Sequence, residues 1–260
     1  PRRSLVKKAI AWMRDMYENK VFFSSQDKIG VNVALVGRLA AKYLGRKDAV
    51  VVRSGVDVSQ FSYKERREIE GKKVRLYSQG IFYVYRRFED IIRAVKILQD
   101  QGYDPYLAIT GDYAHKDTAI RYHKKLVAMC EELGVSGRVI FTGVISEDDL
   151  LRYYRESDIF VFASIQTWSI EICEAMATGL PVIMSQDAGA GEVLEDRKTM
   201  LLTRTGDAED IARKVKELID NPMLYKTLSK EGNIFVRNSL SWPLYADNIL
   251  RLFEEALPRV

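Results

Sequence analysis

The residues best placed to do chemistry lie between positions 164 and 192 of this 260-residue chain. Ser164-Ile165-Gln166-Thr167-Trp168-Ser169 leads into Ile170-Glu171-Ile172-Cys173-Glu174-Ala175-Met176. An apolar run precedes the first stretch and the second has helical spacing, so the pair reads as a strand-to-helix junction. Glu171 and Glu174 are three apart and share a helix face near its N-terminus. Two readings stand on chemistry alone. A carboxylate there is stabilised by the helix dipole and needs no ligand. Equally, a Glu just inside the helix can accept hydrogen bonds from ligand hydroxyls while free backbone N–H groups hold an anion.

Three more junctions of this kind are present: Ser78-Gln79-Gly80, Gly111-Asp112-Tyr113 and Gln186 to Glu192. In open α/β sheets, ligands bind outside the carboxyl ends of strands, which makes all four candidates. Gly189-Ala190-Gly191 is too common a loop spacing to mark a dinucleotide site, and no P-loop is present. Cys130 and Cys173 sit in helical patterns without a CxxC partner or a His at metal-ligand spacing, so buried thiols in a reducing cytoplasm are expected, and no metal. His115 and His123 fall in a polar stretch and are expected to be solvated.

These junctions need a scaffold, and the sequence spells one. Apolar runs at Val21–Phe23, Ala49–Val52, Val74–Tyr77, Tyr106–Ile109, Val139–Phe141, Ile159–Phe162, Val182–Met184 and Leu201–Leu202 alternate with helical segments such as Ile91, Ile92, Val95, Leu98. Strand and helix in repeated alternation argue an α/β fold, a parallel sheet covered by helices on both faces. Ser146 is placed to cap one helix, Gly134 and Gly179 to end two others, and Pro222 to open a fourth.

Hydrophobic residues make up 47% and charged residues 29%, which excludes a disordered chain. No apolar run approaches the ~18 residues of a membrane span. The net charge of +4 comes from 40 basic and 36 acidic residues, interleaved, which reads as a solvated surface and not a nucleic-acid platform. Leu5, Ala9, Trp12, Met13 and Met16 form an apolar stripe beside Arg2, Arg3, Lys7, Lys8 and Arg14. Such a helix can lie peripherally on an anionic membrane or pack against another domain.

Gly55 to Lys73 is polar, rich in Lys, Arg and Glu, and reads as a mobile boundary. Residues 1–56 hold only two of the expected strands, too few for a self-sufficient parallel sheet. With Pro at position 1, the expectation is a fragment whose missing part precedes Pro1.

Residues Asp158 to Leu202 resemble the donor-binding region of the retaining glycosyltransferases called group 1, or family 4, which have the two-domain GT-B fold. The pattern there is a strand ending in Ser, a Glu, seven residues, a second Glu, Ala-Met-Ala, Gly, a small residue, and Pro-Val. Here it reads Ser164, Gln166, Glu174-Ala175-Met176-Ala177, Gly179-Leu180-Pro181-Val182. Ala188-Gly189-Ala190-Gly191-Glu192 resembles the loop that follows. Arg53-Ser54-Gly55-Val56-Asp57 with Phe61 resembles the domain linker, Gly80 to Ala94 the first donor-side loop and helix, Arg138 to Gly143 the strand facing the nucleotide base, and Ser241-Trp242 the start of the returning helix. Each motif is weak alone; together, in the family's order, they are specific.

The resemblance implies a GT-B type, Rossmann-like parallel sheet flanked by helices, with a partial second α/β domain. Residues 1–56 would be the remnant of an acceptor domain, 57–71 a linker, 72–241 the donor domain and 242–260 the crossover helix. It implies metal-free transfer of a hexose-type sugar from a nucleotide-sugar donor to a glycan or lipid-linked acceptor. Glu174 would accept the ribose hydroxyls, and the N–H groups of Ser169 and Ile170 would hold the diphosphate. Arg86 stands where the family has a diphosphate-neutralising Lys, which gives it a catalytic role. Gly80, Arg87, Val144 and Trp168 complete the donor site, and Gln166 takes the catalytic position of the first Glu.

Six positions depart from the pattern. Ile81 replaces a basic residue, for which Arg87 can substitute although it stands in place of a Gly. Gln166 replaces the first Glu. Tyr113, Ala188 and Met200 replace glycines. Each departure removes charge or backbone access at the donor cleft, which motivates an alternative: a catalytically weak relative serving as a nucleotide- or sugar-binding partner subunit. A GT-B epimerase or a Rossmann dehydrogenase is a further rival, and the latter lacks a G-x-G-x-x-G after its first strand.

Overall fold

The computed structural model describes residue 26 and residues 28–166 and 168–257. The strand expected at Val21–Phe23 and the apolar stripe from Leu5 to Met16 lie outside the described residues. Two units are present: Ser54–Trp242 forms one, and the described residues on either side of it form the other.

In the smaller unit, β1 (Ile29–Val31) pairs in parallel with β2 (Ala49–Val51), with α1 (Ala34–Leu44) between them in sequence. Gly45 ends α1 in the left-handed conformation, at φ 70°. The sequence pattern does not reveal β1, because three residues with a central Gly30 carry neither an apolar run nor a readable alternation.

The larger unit is built on β3 (Lys73–Gln79), β4 (Asp104–Thr110), β5 (Val139–Gly143), β6 (Ile159–Phe162), β7 (Val182–Ser185) and β8 (Leu201–Thr203). All pair in parallel, in the order β5-β4-β3-β6-β7-β8. The helices are α2 (Phe88–Asp100), α3 (Asp117–Glu132), α4 (Glu147–Glu156), α5 (Ile170–Ala177), α6 (Ala208–Asp220) and α7 (Pro222–Ser239); α8 (Trp242–Ala256) begins at the last residue of this unit. Every residue of β6 and β7 is buried. Burying a side chain such as Phe160 or Ile183 contributes about 1.5–3 kcal/mol, which accounts for unbroken apolar runs at the sheet's centre.

Local chemistry ends the elements where the sequence expects. The Ser146 hydroxyl accepts from the N–H of Asp149, and the Asn221 side chain from that of Leu224, directly before Pro222. Gly134 and Gly179 leave α3 and α5 in the left-handed conformation, at φ 67° and 76°.

The strand order fixes where a ligand can sit. The chain moves outward from β3 to β5, then returns to lay β6 beside β3. Helices leaving these two strands diverge, so the crevice opens at the carboxyl ends of β3 and β6. Those ends carry Gln79-Gly80 and Ala163-Ser164.

The stretch from Gly55 to Lys73 is not the mobile boundary that its composition suggests. Phe61 and Arg66 are buried within the larger unit. All five N–H donors of Arg66 meet main-chain carbonyls: Tyr154, Arg155 and Ser157 at the end of α4, and Thr178 and Gly179 at the end of α5, at 2.7–3.2 Å. Helix C-termini leave carbonyls unpaired and carry partial negative charge, so one guanidinium satisfies two of them.

Candidate functional site

At the end of β3 the chain turns at Gly80, whose φ of 145° is closed to most side chains. A Cβ there would lie 2.5 Å from Cζ of Arg86. Gly111, at the end of β4, comes closer still, since a Cβ on it would stand 2.0 Å from the Gly80 carbonyl oxygen. Two glycines thus let two strand ends and a guanidinium share one place.

Arg86 closes a short helical turn, Val84–Arg86, and is only 6% exposed. Its Nη2 lies 3.0 Å from Oε1 of Glu171, and its cationic carbon 5.9 Å from the Phe162 and Tyr85 ring centres. Nε and Nη1 are buried and have no hydrogen-bond partner. Ser169, in extended conformation before α5, donates its hydroxyl to the other oxygen of Glu171. The chain therefore gathers Gly80, Arg86, Ser169 and Glu171 at the crevice that the strand order predicts.

Glu174 lies one turn further along α5. Its Oε2 is 2.7 Å from the hydroxyl of Tyr154, which is fully buried. Burial pushes the Glu174 carboxyl up to about 7; the Tyr154 hydrogen bond opposes this and the neighbouring Glu171 adds to it. The same Tyr154 oxygen is 2.8 Å from Oε1 of Gln79, which Tyr77 also approaches at 2.9 Å, and Tyr77 meets the Thr110 hydroxyl at 2.8 Å. One phenolic proton cannot serve both Glu174 and Gln79. When Glu174 is ionised it takes the Tyr154 proton, and Gln79 Oε1 is served by the hydroxyl of Tyr77, which in turn accepts from Thr110.

The other expected site residues are placed differently. Gln166 donates its amide to the Trp168 carbonyl at 2.5 Å, while its Oε1 is buried without a partner. Trp168 is buried. Ile170 opens α5, and Val144 is 71% exposed just past β5. Arg87 adopts a left-handed conformation at φ 55°, and its Nε is tied to Asp90 at 2.6 Å. The loop carrying Arg86 contributes Phe82, Tyr83, Val84, Tyr85 and Arg87 to a pocket of about 580 Å³ that Thr118 and Ile165 also line. Among the described residues no group of three or more His, Cys, Asp or Glu could hold a metal.

His115 is exposed, with Nδ1 2.8 Å from Asp112. His123 is not simply solvated as expected. It stacks on Tyr113 at 3.9 Å and meets Phe82 and Phe141 edge-on, and burial lowers its pKa. Tyr113 supplies the stacking partner. Cys130 and Cys173 are buried, which pushes their thiols up to about 11 and about 12. Sequence reasoning missed the Arg86–Glu171 pair and the Tyr154 relay. Tyr153 and Tyr154 in a short helix with Leu150 and Leu151 were the one available hint of buried aromatics.

The family described as "Glycosyl transferases group 1" matches residues 59–234. The chain belongs to this family. It is 22% identical over 255 residues, 95% of its length, to an uncharacterized glycosyltransferase of Methanocaldococcus jannaschii, covering 63% of that protein. It is 30% identical to the lipopolysaccharide core biosynthesis glycosyltransferase LpsE of Rhizobium meliloti, over 67% of this chain and 48% of LpsE. The chain thus spans about half to two thirds of the length of these relatives. A glycosyltransferase of Rickettsia africae superposes with a TM-score of 0.81 at 18% identity, over 95% of this chain and 67% of that one. HepE of Anabaena, solved in complex with UDP, gives 0.77 at 16% identity, over 88% and 64%. The fold of this group 1 family member is α/β of the GT-B type, as its motifs imply. Among the described residues no helix is long and apolar enough to cross a membrane.

Proposed function

We propose that this chain is the donor-binding half of a retaining glycosyltransferase. It takes a hexose-type sugar from a nucleoside-diphosphate donor and serves a glycan or lipid-linked acceptor without a bound metal. The observation that carries this reading is Arg86, a buried guanidinium with two unpartnered nitrogens at the switch-point crevice. Buried donors left unpaired cost about 1–3 kcal/mol each, and phosphate oxygens would satisfy them. The N–H groups of Ser169 and Ile170 add the helix N-terminus as a second anion contact. When the bond from sugar to diphosphate breaks, negative charge grows on the departing phosphate, and fixed donors there lower the barrier. Glu174 in its ionised form accepts the ribose hydroxyls, and Gln166 hydrogen-bonds the sugar. Val144 and Trp168 flank the donor, and Gly80 leaves the backbone open to it.

Residues 72–241 bind the donor in this reading, 57–71 link, 242–260 return, and 1–56 belong to an acceptor-side domain. A peripheral membrane contact through that domain fits a lipid-linked acceptor. Calorimetric titration with UDP, GDP and ADP, free and as sugar conjugates, tests the donor site. Binding of one base series that disappears in Glu174→Ala is expected; equal binding in that variant overturns the assignment.

One observation favours the partner-subunit alternative. Gln166 carries no charge and its amide is held by the Trp168 carbonyl. If Gln166→Glu leaves transfer by the complete protein unchanged, a catalytic defect at this position is refuted.

A further inference from the structure

Arg86 brings one positive charge to the site, and Glu171 already answers it. The pair is buried on both sides, with Arg86 6% and Glu171 8% exposed, and both oxygens of Glu171 are engaged, one by Nη2 of Arg86 and one by the Ser169 hydroxyl. A diphosphate entering the crevice therefore meets a neutral pair, not a free cation. Guanidinium geometry sharpens the point. Its two side-by-side donor pairs both include Nη2, the nitrogen facing Glu171, while the unpartnered Nε and Nη1 do not lie side by side. A phosphate can grip Arg86 bidentately only by sharing or taking Nη2.

We propose that Glu171 is a resident counter-anion that competes with the donor diphosphate for Arg86 and so sets how tightly the site holds phosphorylated ligands. The inference rests on the donor-site reading above and adds to it a residue that determines affinity. Glu171 occupies the first turn of α5, where the helix dipole stabilises an anion, so the same N-terminus that would receive phosphate already faces a carboxylate. Without this carboxylate the cleft would retain a diphosphate product more strongly; with it, the product leaves against an internal replacement.

The test is titration of the 260-residue chain with inorganic pyrophosphate, with the nucleoside diphosphates and with the matching free nucleosides. Glu171→Gln keeps the shape and the Ser169 contact while removing the charge. The expected result is roughly tenfold tighter binding of pyrophosphate and nucleoside diphosphate, with the nucleoside unchanged. Unchanged or weaker diphosphate binding overturns the proposal, and weaker binding would make Glu171 a positioning residue that anchors Arg86. If Glu171→Gln does not fold, Glu171→Asp carries the test, because it keeps the charge but shortens the reach. It should tighten binding about threefold, and no tightening refutes the competition. The control Glu174→Ala separates this idea from the donor-site reading. If it abolishes nucleotide binding while Glu171→Gln tightens nothing, the proposal alone fails. If pyrophosphate tightens but Glu174→Ala leaves nucleotide binding intact, the proposal stands for an anion site and the nucleotide assignment fails.

Discussion

The hydroxyl of Tyr154 stands 2.7 Å from Oε2 of Glu174, and the ring that carries it is fully buried. The contact favours the ionised carboxylate, against a burial that favours the acid, and the balance falls at about 7. Ribose hydroxyls donate to a carboxylate, so nucleoside binding should strengthen as pH rises through about 7. In Tyr154→Phe the opposing contact is gone, and the midpoint should move upward. Titrating free nucleoside, which has no phosphate of its own to titrate, across about pH 5 to 9 gives both midpoints. An unshifted midpoint in the variant would detach Tyr154 from Glu174.

Stability carries the same proton with a defined sign. The folded Glu174 carboxyl binds its proton more tightly than the ordinary value of 4.5, so its contribution is complete below that pH and is lost as pH rises through about 7. Glu174→Gln mimics the protonated form and should flatten this dependence. At pH 8 the variant should be the more stable one, by at most about 3 kcal/mol. Denaturant unfolding of both proteins at several pH values measures the difference.

Gly80→Ala places a methyl group where the Arg86 guanidinium lies, on a backbone at φ 145°. Arg86 must leave its pocket, and the alanine strains the turn by about 1–3 kcal/mol. Diphosphate binding should be lost while the fold is retained, a combination that calorimetry and circular dichroism on one sample would reveal.

Arg66→Ala removes five charge-assisted hydrogen bonds at two helix ends, while Arg155, Thr178 and Gly179 keep contacts from Lys64 and Ser229. Loss of charged hydrogen bonds worth about 1.5–3 kcal/mol each, partly repaid by water, should destabilise the larger unit by at least about 3 kcal/mol. Arg66→Lys should recover little, because one ammonium has three donors in place of five. A near-neutral alanine variant would mean that water replaces the guanidinium without loss.

The parts of this molecule legible in sequence are those whose cause is local. β6 and β7 announce themselves because burial on both faces demands apolar residues throughout, and Ser146, Gly179 and Asn221 act within a few residues of their own positions. Arg66 is the opposite case: in a stretch of lysines, arginines and glutamates nothing marks it, and its partners lie 88 to 113 residues further along the chain. The site divides the same way. Spacing along α5 puts Glu171 and Glu174 on one face, but only the β3–β6 pairing brings Arg86 to the first and Tyr154 to the second.

Cys130 and Cys173, the chain's two cysteines, are buried with thiols pushed up to about 11 and about 12, so almost none of either is thiolate near neutral pH. The native sequence is therefore a quiet background for thiol labelling. A single cysteine introduced on an exposed position such as Val144 would be the dominant reactive handle, and a fluorophore there would test the proposed donor contact beyond β5 without either native cysteine being removed.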